Sequence, residues 1–211
     1  MSIASLSRFT VPLASGQSAA SQGMLMPKLK YRFRIMFENF GVSAGTTELT
    51  KQVATAVRPT VSFDDQTLGV YNSTIHFAGK PKWGTMAIKL RDDVTGAVSK
   101  LVGEQLQKQF DFFEQSSAAS GGDYKFTMRI EMLDGGNGGT TPNVLETWEC
   151  YGCYIQQSNY EALDYTQQGA AEITLTIQPD NCAQIGASAG VGTQGFVQTR
   201  STNATGGGGQ L

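Results

Sequence analysis

The side chains in this sequence with the means to do chemistry are few: a single histidine, three cysteines, one glycine-rich acidic loop and a short run of alternating cations. His76 lies in a candidate strand, 70–77, on the face shared by Asn72 and Thr74 and opposite Tyr71, Ile75 and Phe77. A general base or metal ligand there needs an acid or nucleophile placed to orient or use it, and no spacing supplies one, so His76 reads as a polar strand residue. Cys150 and Cys153 have the C-x-x-C spacing. A zinc ribbon needs a second such pair, and a thioredoxin-like motif sits at a helix start in a βαβ unit. This pair falls in a candidate strand, where residues three apart point to opposite faces, which disfavours both a disulfide and a shared metal. Completing a site would require Cys182 and His76. The run from Asp134 through Gly135, Gly136, Asn137, Gly138 and Gly139 lacks the further carboxylates of a calcium loop and the Lys-Ser/Thr of a phosphate loop, and reads as a hairpin connection. No catalytic residue, metal site or cofactor is expected.

Lys28, Lys30, Arg32 and Arg34 share one face of a candidate strand, 28–35. Three readings stand for that face. It touches a nucleic-acid backbone, it pairs with acidic side chains such as Glu131, Glu146 or Glu149 within or between subunits, or it is a solvated outer sheet face. Four cations without interleaved exposed aromatics are a weak nucleic-acid signature.

The elements that must position these residues are mostly strands. Period-two alternation marks 28–35, 124–132 and 171–177, with Ile173, Leu175 and Ile177 on one face of the last. Weaker strand candidates are 49–57, 70–77, 83–90 and 144–156, separated by Gly/Asn/Asp clusters. From 97 to 113 the period changes to three and four. Val98, Leu101, Val102, Leu106 and Phe110 form one stripe of a helix that packs on the sheet, with Asp92, Asp93 and Thr95 at its start. The expected fold is mainly β: an antiparallel sandwich or barrel of about seven strands with one flanking α-helix covering an open end or edge. The stretch 57–79, with Arg58, Pro59, Asp64, Asp65, Gly69 and Tyr71, is expected to protrude as an extended segment, too long for a tight hairpin.

Of 211 residues, 40% are apolar and only 16% charged, against the usual ~25%. Such a surface repels its neighbours weakly. The formal net charge of −2 gives no global pull toward nucleic acid or acidic membranes. No apolar run approaches the ~20 residues of a membrane span, and the Ser/Ala-rich start does not read as a secretory signal. Three sparse cysteines fit a reducing compartment. Residues 1–26 and 183–211 are expected to be flexible arms around a domain spanning 27–182. With no catalytic constellation, assembly is the expected activity. Its rivals are a β-sandwich carbohydrate-binding module, which would be monomeric and present exposed aromatics beside a groove, and a hydrolase using His76.

The order of features from about 27 to 181 resembles the tail tube protein of contractile-tailed bacteriophages. The resemblance rests on Tyr71-Asn-Ser-Thr-Ile-His-Phe-Ala-Gly79, the Trp83 strand, Arg91-Asp92-Asp93 before the helix, and the strand holding Trp148 and Gly152. Asn159-Tyr-Glu-Ala-Leu-Asp-Tyr165 and Ile173-Thr-Leu-Thr-Ile177 complete it. The resemblance implies a structural virion protein assembled in the host cytoplasm. Six copies close into a ring, rings stack with a rotation, and the segment 58–71 reaches the adjacent ring. The tube would hold a tape-measure protein and pass DNA. A contractile sheath, baseplate and tail terminator are the implied further partners. The same fold in bacterial contractile injection and type VI secretion systems carries protein cargo instead.

Overall fold

The period-two segments fold as antiparallel sheet and the period-3.6 segment as a helix laid against it. The computed structural model describes residues 27–43, 45–135, 142–166 and 168–185. The chain divides into two units, Met1–Arg32 and Phe33–Leu211. The arm at 1–26, most of the arm at 183–211 and the centre of the glycine loop, 136–141, lie outside the described residues.

In the first unit the described residues form a turn, closed by the Arg32 N–H donating to the Leu29 carbonyl at 3.2 Å. The expected strand at 28–35 is therefore displaced. Lys28, Lys30 and Arg32 precede it, and only Arg34 lies on a strand. The turn uses their backbone before alternation can begin, and the Arg32 guanidinium lies 5.5 Å from the Tyr31 ring centroid.

The second unit runs β1 (Phe33–Glu38), α1 (Thr47–Gln52), β2 (Val53–Ala56), β3 (Val61–Val70), β4 (Ser73–Trp83), β5 (Met86–Arg91), α2 (Ala97–Gln109), β6 (Phe110–Asp111), β7 (Ser116–Ser117), α3 (Gly121–Tyr124), β8 (Phe126–Leu133), β9 (Val144–Tyr160), β10 (Glu172–Gln178) and β11 (Asn181–Ile185). The main sheet has the order β1-β8-β9-β10-β5-β2, with β11 also beside β9. Its first half, β1, β8, β11 and the start of β9, stacks on its second half. Cys150 Sγ of β9 lies 4.0 Å from Met86 Sδ of β5, and one core runs through both. The result is sandwich-like, not a closed barrel. Ile35 pairs with Ile130, Phe37 with Met128, and Leu175 with Ile88, all buried. Each such side chain contributes roughly 1.5–3 kcal/mol by leaving water.

β9 joins the two halves. Its first part pairs with β8 and β11, its second with β10. The break falls at Gly152, whose φ is 63°. A Cβ there would sit 2.3 Å from Asp180 Oδ2, and the Asp180 N–H donates to the Tyr151 carbonyl at 3.1 Å. Only glycine meets both conditions without strain. The bulge adds one residue to β9, since Phe126 pairs with Cys153 but Met128 with Cys150. That extra residue turns Cys150 and Cys153 onto the same buried face, correcting the alternation argument for the C-x-x-C pair.

Helix α2 buries Val98, Leu101 and Val102, with Leu106 partly buried against the core. Asp93 begins it: its Oδ1 accepts from the Val98 N–H at 3.2 Å, and bonds from Thr95 and Val98 hold its carboxyl below the usual range. Phe110 is a correction. The backbone becomes extended there, at φ −152°, so Phe110 leaves the helix, is 37% exposed, and meets Phe112 edge-on at 5.4 Å instead of the sheet. Asp111 stops the helix by accepting from the N–H groups of Phe113 and Glu114.

Two more boundaries differ. The expected strand at 49–57 begins as α1, because Leu49 and Val53 are spaced for a helical turn and alternation starts only at Val53. β11 runs to Ile185, three residues past the expected domain end at 182.

Candidate assembly surface

The stretch expected as a protruding segment too long for a tight hairpin is a long two-stranded ribbon with a two-residue turn. β3 and β4 pair from Val61↔Trp83 to Val70↔Ser73. β-Branched and aromatic residues along both strands favour the extended backbone. Tyr71 and Asn72 close the turn, with Tyr71 at φ 47°, the left-handed region that two-residue hairpins use. Tyr71 is 100% exposed.

Leu68 pairs with Ile75 and Gln66 with Phe77, so Leu68, Ile75 and Phe77 share one face of the ribbon. Leu68 is 54% exposed and Ile75 52%. Val61, Phe63 and Val70 are exposed as well. A lone two-stranded ribbon is marginally stable in water. One that also shows this much apolar side chain has the make-up of a surface meant to be covered.

The ribbon is firmly rooted. The Gly84 N–H donates to the Thr60 carbonyl at 2.9 Å, and a Cβ on Gly84 would lie 2.5 Å from Thr60 Oγ1. Trp83 Nε1 donates to Asn181 Oδ1 at 3.1 Å, and Gln178 Nε2 to the Trp83 carbonyl at 3.0 Å. Arg58 sits 3.6 Å from the buried Glu146, which also accepts from Trp148 Nε1 at 2.5 Å. Arg58 and Pro59 are thus at the root, Asp64 and Asp65 midway, and Tyr71 at the tip. Asp64 pairs with Lys82 at 2.9 Å, and Asp65 with His76 Nδ1 at 2.9 Å. Both contacts are exposed, and the Asp64–Lys82 ion pair is the kind worth about 0–1 kcal/mol.

Arg34 forms an ion pair with Glu131, its register partner on β8. Arg129 extends the row across the sheet, to Glu149 at 2.7 Å and Glu38 at 3.6 Å. The outer face of β1, β8 and β9 is therefore a ladder of alternating charges.

Pattern reading missed two glutamines of α2. Gln105 is fully buried: its Oε1 accepts from the Gly41 N–H at 2.9 Å and its Nε2 donates to the Tyr124 carbonyl at 2.6 Å. Gln109 lays its amide along the open flank of β9, donating to the Ile155 carbonyl and accepting from its N–H, both at 2.9 Å. That side chain takes the place of a neighbouring strand. Glu104, one residue before Gln105, accepts from Ser43 Oγ at 2.6 Å and from the Ser43 and Val42 N–H groups. Those bonds pull its pKa down to about 2.

The three cysteines are buried free thiols, with Cys150 and Cys182 register partners. Burial pushes the Cys153 thiol up to about 12, while the hydrogen bond with Cys182, and burial after it, raises the Cys150 thiol. Among the described residues no group of three His, Cys, Asp or Glu is placed to hold a metal ion. Asp134 ties off the glycine loop by accepting from Asn143 N–H at 3.1 Å and Nδ2 at 2.8 Å. Among the described residues no helix is long and apolar enough to cross a membrane.

No protein-family model and no curated protein matches the chain. Solved structures do match in fold. The tube-terminating cap of the anti-feeding prophage aligns with TM-score 0.57 at 14% identity, covering 78% of this chain and 95% of that one. A chain of the sheath-tube complex of the extracellular contractile injection system PVC aligns with TM-score 0.54 at 12% identity, covering 76% and 93%. The SPP1 tail tube aligns with TM-score 0.50 at 13% identity, covering 77% and 81%. The chain has the fold of these tube and tube-cap proteins, a fold shared by a phage tail and by injection systems.

Proposed function

We propose that this chain is the structural unit of a hollow tube, its copies closing into hexameric rings that stack helically into the inner tube of a contractile tail. The observation that carries the reading is the apolar ribbon: a rooted arm with an uncovered face, on a sandwich of tube fold. The segment from Arg58 to Tyr71, with Pro59, Asp64 and Asp65, is the inter-ring contact. Because Asp64 and Asp65 already have cross-strand partners, apolar side chains and not those carboxylates supply most of the contact energy. Heterologous contacts that close by rotation make rings, and stacked rings make a filament.

In this reading the surrounding partner is a contractile sheath. The ends meet a baseplate and a terminator, and the lumen holds a tape-measure protein and then the transiting DNA of a phage particle assembled in its host's cytoplasm. An injection-system tube carrying protein is the neighbouring reading. A second one, a cap that closes a tube as a single ring, is favoured by the likeness to the terminating cap, at TM-score 0.57 against 0.54 for the chain of the sheath-tube complex. Negative-stain microscopy of the purified chain over a concentration series tests tube against cap and against monomer. Tubes with a central hole are expected. Single rings that never stack favour the cap, and a monomer at every concentration refutes assembly.

A further inference from the structure

β5 and β10 run antiparallel between two ends of the same sheet, and the ribbon leaves from one end while the β9–β10 connection lies at the other. At the ribbon end Ile177 pairs with Met86, and Gln178 holds the Trp83 carbonyl. At the far end Glu172 pairs with Arg91, and the Glu161 N–H donates to the Glu172 carbonyl at 3.3 Å. The registered residues between them set the ends roughly 17 Å apart, at ~3.4 Å per residue. The far end carries a groove of about 810 Å³, with Tyr160, Leu163, Asp164, Gly169 and Ala170 among its walls. Leu163 is 89% exposed, and Tyr160 is exposed too.

The carboxylates at the groove are already engaged. Glu161 meets Lys89 Nζ at 3.0 Å, and Asp164 Oδ1 accepts from both the N–H and the hydroxyl of Thr166 at 2.9 Å. A groove with its charges answered from within suits an uncharged occupant. The ribbon tip, residues 66–75, carries no charged side chain and shows Leu68, Val70, Tyr71 and Ile75 to solvent.

We infer, on the basis of the stacked-tube reading, that this groove receives the ribbon tip of a second copy. Donor and acceptor then sit at opposite ends of one sheet, so a chain cannot fill its own groove. Repeating a head-to-tail contact of this kind builds an open filament instead of a closed dimer. Tyr71 and Leu68 on one copy and Leu163 and Tyr160 on the next leave water together, the aromatic-anchored core typical of tight protein contacts.

The test uses the full chain with Tyr71→Cys and Ala170→Cys together, assembled and then oxidised mildly with copper phenanthroline. A non-reducing gel should show a ladder of disulfide-linked multimers. Either single variant should stop at dimer, and the wild-type chain, whose cysteines are buried, should show no ladder. In parallel, Ala170→Glu puts an unpaired charge in the groove and should raise the concentration needed for tubes at least tenfold. Tubes of wild-type chain combined with no ladder, or with Ala170→Glu assembling like wild type, overturn the groove assignment and leave the tube reading standing. A wild-type chain that never assembles overturns both. If Ala170→Glu fails to fold, the ladder alone decides.

Discussion

Replacing Leu68 and Ile75 together by serine separates folding from assembly. The two side chains face each other across the ribbon and are each about half exposed in the single chain. In the monomer the change removes one partly solvated cross-strand pair, worth roughly 0.2–1 kcal/mol. In a tube the exposed half of each side chain would also leave water. Full burial of a leucine or isoleucine is worth about 1.5–3 kcal/mol, so the remaining half supplies about 1 kcal/mol each and ~2 kcal/mol for the pair. That is roughly a 30-fold rise in the critical concentration, since 1.4 kcal/mol is tenfold. Sedimentation of polymer across a dilution series measures it, with thermal unfolding by circular dichroism run beside it. The control is Thr67→Ser, on the ribbon's other face opposite His76, which should change neither quantity. A critical concentration within threefold of wild type, with the melting temperature lowered, would show that the ribbon serves the fold and not the assembly.

Gln105→Leu should cost about 2–6 kcal/mol, because it leaves the buried Gly41 N–H and the Tyr124 carbonyl without partners at about 1–3 kcal/mol each; a drop in melting temperature under ~2 °C would refute this. Glu104 has its folded pKa lowered from 4.5 to about 2, so its stabilisation is complete above pH ~4.5 and is lost as pH falls toward 2. Glu104→Gln should therefore flatten the acid side of the melting profile, and a profile unchanged between pH 5 and 2 would contradict the assignment. All three thiols should stay silent to Ellman's reagent in the native chain and react on unfolding; a thiol titrating at once would place it on the surface.

The strands with one clean apolar face were legible because burial on one side writes period two into the sequence. Phe126 to Ile130 and Ile173 to Ile177 are buried at alternate residues as the pattern implies, the first alternation ending where Glu131 is buried as well. The helix was legible through Val98, Leu101, Val102 and Leu106. Its end was not, since Phe110 keeps the spacing while the backbone does not. Gln105 continues the buried series 98, 101, 102, 105 at helical spacing, so its position marked it although its polarity hid it. The ribbon was expected to protrude, but its pairing as a hairpin with a two-residue turn escaped for a different reason. Its apolar residues are unburied within the chain, so the rule relating pattern to burial fails where the missing partner lies outside it. The bulge at Gly152 was invisible because alternation assumes an unbroken register, and one inserted residue reverses the facing of Cys153.

β9 gives the molecule a mechanical character. Its residues, Val144 to Tyr160, form one covalent path through both halves of the sandwich, roughly 55 Å of contour at ~3.3 Å per residue. A load along that axis travels in the backbone and reaches β8, β10 and β11 as shear, which pulls on many hydrogen bonds at once instead of peeling them singly. The softer point along β9 is the glycine bend facing Asp180, so a chain loaded along that axis should flex there before its sheets part.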